Sequence, residues 1–176
     1  MRAILAAAVL ATGLAACAQT GPSGPSVAAR AQPSVDLTRY AGRWYELGRY
    51  EAFFQRGCEA VSADYTPLPD GRVKVVNSCR KGVPDGPLSQ AEGVATVVPG
   101  FDNARLKVSF FGPFSGDYWV LDRAPDYSWA IVGEGSGRYL WLLSREARPG
   151  EARYRDLLDR ARRLGYDVAR VRRTRH

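Results

Sequence analysis

The chain has 176 residues, 45% of them hydrophobic, and a formal net charge of +7; that suits one domain with a real core, because domains run to roughly 100–200 residues. No apolar run reaches the ~20 residues that a membrane-spanning helix needs. The single histidine is the last residue, His176, so a Ser-His-Asp or Cys-His site would lack a general base inside the fold; one histidine and three cysteines are also a poor zinc set.

Arg2, beside the initial Met1, is followed by a short apolar stretch over residues 3–14 that leads into Leu14-Ala15-Ala16-Cys17. A charged start, a short apolar segment and small residues before the cut are the marks of an export signal. A cysteine directly after them fits a bacterial lipoprotein box, whose thiol takes a diacylglycerol. Residues 1–16 are therefore predicted to be a signal peptide, and Cys17 a lipidation site and membrane anchor. Residues 17–34 hold the lipidated cysteine and a tether rich in Gly, Pro, Ser, Ala and Gln, without periodic apolar pattern. Ala18, where inner-membrane lipoproteins often carry Asp, points to the outer membrane, with the periplasmic face expected.

From Val35 onward short alternating segments are separated by turn residues, as in an antiparallel all-β domain. Strands are predicted near 42–51, 59–66, 72–78, 90–98, 105–110, 117–122, 128–133 and 138–144. Cys58 and Cys79 sit almost symmetrically about the turn Pro67-Leu68-Pro69-Asp70-Gly71, and an exported protein can keep them oxidised. That predicts a cross-strand disulfide, the alternative being two free thiols. The period then changes: Tyr154, Leu157, Leu158, Ala161 and Leu164 fall at helical spacing, with Pro149 before them and Gly165 after. One amphipathic helix is predicted over 150–164, resting on the outside of the sheet, and Asp167-Val168 begins a short strand or extended tail. Eight strands with hairpin connections suggest an up-and-down barrel, closed so that no edge is exposed; a Greek-key sandwich is the alternative. Residues 35–176 would form this domain. The basic tail, Arg160, Arg162, Arg163, Arg170, Arg172, Arg173 and Arg175, reads equally as attraction to anionic headgroups and as a solvated face. It lacks the interleaved aromatics of a nucleic-acid site.

The segment Asp36-Leu37-Thr38-Arg39-Tyr40-Ala41-Gly42-Arg43-Trp44-Tyr45-Glu46 resembles the opening of the lipocalins, a helical turn followed by Gly-x-Trp on the first strand. Leu142-Leu143-Ser144-Arg145 resembles their last barrel strand. The resemblance implies that Gly42, Trp44 and Arg145 close the barrel floor, the guanidinium packing across the indole, a contact of about 1–2 kcal/mol when partly desolvated. Val108-Ser109-Phe110-Phe111-Gly112-Pro113-Phe114, Gly116-Asp117-Tyr118-Trp119-Val120 and Tyr139-Leu140-Trp141 are similar to the bacterial outer-membrane lipocalins. The likeness covers residues 35–168. It departs at the Thr-Asp-Tyr motif, where Asp122-Arg123-Ala124-Pro125-Asp126-Tyr127 stands and neither aspartate is singled out.

Side chains alternate between the faces of a strand. With Trp44 placed inside and the resemblance followed elsewhere, the expected ligand-facing residues are Tyr50, Ala63, Tyr65, Val75, Asn77, Val108, Phe110, Tyr118, Val120, Val132, Tyr139 and Trp141. Val61, Val73, Leu106 and Leu143 join them on the inner face, and Ala91, Gly93 and Ala95 leave room. Glu46 also points in, where a carboxylate needs a partner, so structural pairing is favoured over a ligand contact. The resemblance implies a carrier of a small hydrophobic molecule, a fatty acid or lysophospholipid; with no general base in the fold and no ligand cluster, no catalysis, cofactor or metal is expected. A scaffold lipoprotein with a filled barrel that binds another protein is the alternative, and a homodimer stays open.

Overall fold

The computed structural model describes residues 32–176; the expected signal peptide, Cys17 and most of the expected tether lie outside the described residues. Eleven elements follow in order: α1 (Leu37–Tyr40), β1 (Gly42–Tyr50), β2 (Cys58–Pro67), β3 (Val73–Lys81), β4 (Leu88–Val97), β5 (Arg105–Phe111), β6 (Phe114–Arg123), β7 (Trp129–Gly133), β8 (Leu140–Ser144), α2 (Glu151–Arg163) and β9 (Val171–Arg173). Consecutive strands from β2 to β8 pair antiparallel, β8 pairs with β1, and β1 returns to β2. The sheet thus closes as an eight-stranded up-and-down barrel, and the sandwich alternative is excluded.

The ninth strand has a physical reason. The lower part of β1, Gly42 to Tyr45, pairs with β2. Higher up, β2 is bulged between Glu59 and Ser62, and Ala60 takes a left-handed φ of 44°. There the two strands part, and β9 fills the gap by pairing with Gly48, Arg49 and Tyr50. Ala60 N–H donates to the Arg175 carbonyl at 2.7 Å, which ties the wedge to β2. Gly48 is required by this approach, since a Cβ there would stand 3.0 Å from Val171 and 3.2 Å from the Arg172 carbonyl.

Two apolar layers result, one inside the barrel and one between its wall and the helix. Inside lie Trp44, Tyr65, Val75, Leu106, Val120, Val132 and Leu143, among others. Outside, Leu157 and Ala161 of α2 are fully buried against Leu47, Trp129, Ile131, Leu140 and Leu142. Fully burying one such leucine contributes about 1.5–3 kcal/mol. Arg160, Arg162 and Arg163 in the last turn of α2 suit the negative end of its dipole. Residues 32–176 contain the closed sheet, the helix and both cores, so this span carries all that it needs to fold on its own.

One expectation fails here. Tyr50 does not face the interior; it packs in the outer layer with Tyr166 at 5.7 Å, and its hydroxyl donates to the Asp167 carbonyl at 2.9 Å. The cause is a bulge in β1: Glu46 pairs with Leu143 and Gly48 with Leu142, leaving Leu47 as the extra residue. An extra residue inverts the alternation beyond it. Arg49, not Tyr50, therefore turns inward.

Candidate ligand-binding cup

Strand direction alternates around the barrel, so its two ends are built from different connections. The links 51–57, 82–87, 112–113 and 134–139 share one end, the mouth. The links 68–72, 98–104 and 124–128, together with α1, form the other, the floor.

The floor is sealed by the pair that the Gly-x-Trp motif suggested. The Arg145 guanidinium lies 3.9 Å from the Trp44 ring centroid. It donates to the carbonyls of Arg43 and Arg39 at 2.8 Å, of Ala41 at 2.9 Å and of Tyr40 at 3.2 Å. Trp44 is fully buried, and its indole N–H donates to the Tyr40 carbonyl at 2.8 Å. Gly42 has φ +90°, which a side chain would strain; space is not the reason, because a Cβ would meet only Arg145 Nη1, at 3.5 Å. Tyr127, which the sequence reading left unassigned, completes the seal. Its hydroxyl accepts the Asp36 N–H at 2.8 Å, and Arg39 stacks on its ring. The two aspartates beside it have separate tasks. Asp126 accepts the Ser128 N–H at 3.0 Å in the β6–β7 turn, whereas Asp122 reaches Arg160 of α2 at 3.3 Å.

Above the floor three phenols meet. The Tyr65 hydroxyl donates to that of Tyr118 at 2.9 Å, and Tyr118 and Tyr40 hydroxyls share a bond of 2.7 Å. Burial pushes the Tyr65 phenol up to about 12 and those of Tyr40 and Tyr118 well above their ordinary range. All three stay neutral, so they offer hydrogen bonds and no phenolate.

The expected lining residues divide by burial. Ala63, Tyr65, Val75, Val108, Phe110, Tyr118, Val120, Val132 and Trp141 share one inward-facing cluster with Trp44. Asn77 joins them by alternation, paired with Ala63 and Ala91. Val75, Val120 and Val132 are sealed as core. Ala63, Asn77, Val108, Phe110, Tyr118 and Trp141 are only half-buried although they point inward. Tyr139 sits at the rim, stacked on Trp141 at 5.8 Å and meeting Phe54 at 5.8 Å. The room beside Gly93 is taken by the Phe110 ring, whose Cδ1 lies 2.7 Å from where a Cβ would stand. Two clefts lie on the outer surface. One of about 570 Å³ lies where β4 and β5 part, and Phe110 is its one contact with the inner cluster. The other, of about 360 Å³, lies between β9 and the start of α2.

A buried polar network braces the mouth. Glu46 accepts from Arg49 at 2.7 Å, from Gln55 at 2.8 Å and from the Thr174 hydroxyl. Gln55 in turn accepts the Trp141 indole N–H at 2.8 Å. Arg49 also donates to the carbonyls of Gln55 and Cys58. Burial opposes the Arg49 charge, but Glu46 and Glu51 more than offset it and hold the guanidinium above its usual range. Glu46 is thus a paired structural carboxylate. Arg49 and Gln55 were missed by sequence reading, and Gly48 inside a strand pattern was the one hint of the bulge that brings Arg49 in. Cys58 and Cys79 are disulfide-bonded, their Cα atoms 5.4 Å apart, and pack with Val61 at the mouth end of β2 and β3.

The basic tail is neither a free headgroup patch nor merely solvated. Arg172 and Arg175 pair with the buried Glu59, Arg173 pairs with Glu151, and Arg160 pairs with Asp122 and Asp156. His176 lies on the outer side, bonded to the Glu46 carbonyl at 2.7 Å and edge-on to Tyr45.

This arrangement has relatives. Residues 35–176 match the family model for the lipocalin-like domain. The chain is 39% identical over 170 residues to outer membrane lipoprotein Blc of Escherichia coli, covering 95% of this chain and 92% of that one. It is 36% identical over 152 residues to temperature-induced lipocalin-1 of Arabidopsis thaliana, covering 80% and 78%. The solved structure of insecticyanin from the tobacco hornworm Manduca sexta superposes with a TM-score of 0.65 at 20% identity, covering 84% of each chain, and so shares the fold. With the indole–guanidinium floor and the closed eight-stranded sheet, these matches establish that the chain belongs to the lipocalin family.

Proposed function

We propose that the protein carries one single-chain amphipathic lipid, a fatty acid or lysophospholipid, in the upper half of the barrel and does no chemistry on it. The lipocalins bind and transport small hydrophobic molecules, and relatives in E. coli, Vibrio cholerae and Citrobacter freundii are named outer membrane lipoproteins. These relatives support a lipid-anchored protein at the outer membrane, and in this reading Cys17 is the acylated residue. The observation that carries the reading is the uneven burial of the barrel's inner face. Val75, Val120 and Val132 are sealed, yet Ala63, Asn77, Val108, Phe110, Tyr118 and Trp141, on the same inner face, remain partly accessible. A one-ended apolar cup with a few polar groups suits an acyl chain with a headgroup. Each buried methylene contributes about 0.8 kcal/mol, against the cost of ordering the ligand. Tyr139 and Trp141 would flank the entry, and Asn77 with the Tyr118 hydroxyl would read polar atoms. The three linked phenols of the interior stay neutral, and His176 points away from the cup.

The Phe110 ring against Gly93 favours a second reading, a filled barrel serving as a scaffold for another protein. Extraction of the purified 32–176 domain with organic solvent, followed by mass spectrometry, separates the two. So does titration with lysophosphatidylethanolamine and palmitate while Trp fluorescence is followed. A carrier gives saturable change at one ligand per barrel, weakened at least tenfold by Trp141→Ala. No response to either lipid overturns the carrier and leaves the scaffold. Release of a modified lipid overturns the non-enzymatic reading.

A further inference from the structure

We propose that the mouth rim is a docking surface for an anionic phospholipid bilayer, so that the open end, and not the end from which the tether leaves, meets the membrane. The proposal goes beyond the carrier reading, because it stands on the outside of the rim and holds whether or not the cup is filled. Among the described residues, the exposed large apolar side chains are Phe53, Phe54, Val83, Leu88, Phe101, Phe111 and Phe114, and all but Phe101 are at the mouth. Phe53, Phe111 and Phe114 are each at least 75% exposed, on two different connections. Phe101, the exception at the floor, has the Arg105 guanidinium stacked on its ring at 3.8 Å. Water-facing phenylalanines gathered from separate loops at one end are an interaction surface, not scattered surface residues.

Charge selects the partner. Arg56, Lys81 and Arg138 are exposed on the same connections or strand ends. Of the acids at this end, Glu46 and Glu59 are buried and paired with arginines, Glu134 is buried against its own loop, where it caps the N–H groups of Ser136, Arg138 and Tyr139, and Glu51 is paired with Arg49 and Arg172. Asp85 is the remaining acid of the rim. A ring of phenylalanines interleaved with surplus cations matches the boundary of an anionic bilayer, where apolar rings enter among the acyl chains and cations meet phosphates. An apolar protein partner would not call for the cations, and a second copy would bring two cationic rims together.

The tether permits this orientation. The chain enters the barrel at the floor, where Val35 N–H donates to the Asp102 carbonyl at 2.8 Å. From Cys17 to Gln32 the chain can span at most about 50 Å at roughly 3.4 Å per residue. A strand of the length of β2 spans about 33 Å before tilt, so an anchored barrel can turn its mouth to the bilayer. An aromatic path then runs from the bilayer into the protein. Phe53 meets Phe54 at 5.3 Å, Phe54 meets Tyr139, and Tyr139 stacks on Trp141 on the inner face. A lipid tail following these rings would enter the cup without crossing bulk water.

The test uses the 32–176 domain, which lacks the anchor, and sedimentation with two kinds of vesicle: phosphatidylethanolamine with phosphatidylglycerol, and phosphatidylcholine alone. The domain is expected to co-sediment with the first far more than with the second, and less as salt rises. Phe111→Ser with Phe114→Ser should lower the vesicle partition at least tenfold. Arg56→Gln and Lys81→Gln should each lower it about fivefold at low salt. All variants should keep the wild-type melting temperature and lipid titration, which separates failure of docking from failure of the carrier reading. Equal binding to neutral vesicles, no sedimentation with either, or sedimentation unchanged in the double variant overturns the proposal. So does a concentration-dependent dimer that the rim variants abolish, because a second copy would then own the surface.

Discussion

The two ends of one barrel follow opposite rules. At the floor, a single guanidinium donates to carbonyls of Arg39, Tyr40, Ala41 and Arg43 and covers an indole, so polar and apolar groups are both satisfied. At the mouth, apolar rings are left in water and the polar network lies beneath them, where Glu46, Arg49, Gln55 and Thr174 brace the wall. The sheet is continuous between them, so the contrast comes from side chains and not from topology. A closed end can be optimised for stability, whereas an open end must keep its surface available.

The comparison breaks most severely at the brace. Arg49→Leu leaves Glu46 buried without its cation, and losing one partner of a buried pair costs about 3–5 kcal/mol. Urea denaturation should show that loss, and the double variant with Glu46→Leu should regain most of it. Next comes the staple at the mouth. Replacing Cys58 and Cys79 by Ser frees a loop closed between residues 21 apart in sequence, worth about 3 kcal/mol in chain entropy. The same denaturation measurement checks it. Arg145→Lys tests the floor: an ammonium cannot reproduce a planar fork that serves several carbonyls and stacks on Trp44. A loss of about 2 kcal/mol is expected, with lipid titration at the other end unchanged. A change in ligand affinity larger than the change in stability would show that the ends are not independent.

Much of the floor was legible in the sequence because its signals are local or strongly typed. Gly42-Arg43-Trp44 sits on one strand, and the strict alternation of β3, with Val73, Val75 and Asn77 in register against β4 without a slip, can be followed residue by residue. The mouth was harder. Alternation carries a face assignment only until a bulge intervenes, and Leu47 in β1 inverted the faces of Arg49 and Tyr50. The tail was opaque for another reason. Arg172 and Glu59 lie 113 residues apart, so no spacing rule connects them, and a run of arginines looks like a patch until its carboxylates are located. Phe111 and Phe114 stand in the segment that carried the family resemblance, but no local pattern marks the rim phenylalanines as left in water; their exposure is a property of the assembled end.

The tail supplies the smallest and most diagnostic effect. Glu59 is almost wholly buried beside β9. Burial alone would raise its pKa, but the Arg175 N–H, the Arg175 guanidinium and the charge of Arg172 overcome it, and the carboxyl is held below its ordinary value of 4.5. A depressed folded value means that the contribution is present above the unfolded pKa and is lost as pH falls through the folded one. Wild-type protein should therefore be more stable than Glu59→Gln at neutral pH, with the gap between their melting temperatures narrowing below about pH 4.5. Arg145→Lys, whose lesion at the floor involves no carboxylate, should show a gap that does not narrow in that window. A Glu59→Gln gap that is independent of pH would mean that the carboxylate serves β9 by shape and hydrogen bonding alone, and that the wedge closing the barrel beside the mouth is not held by charge.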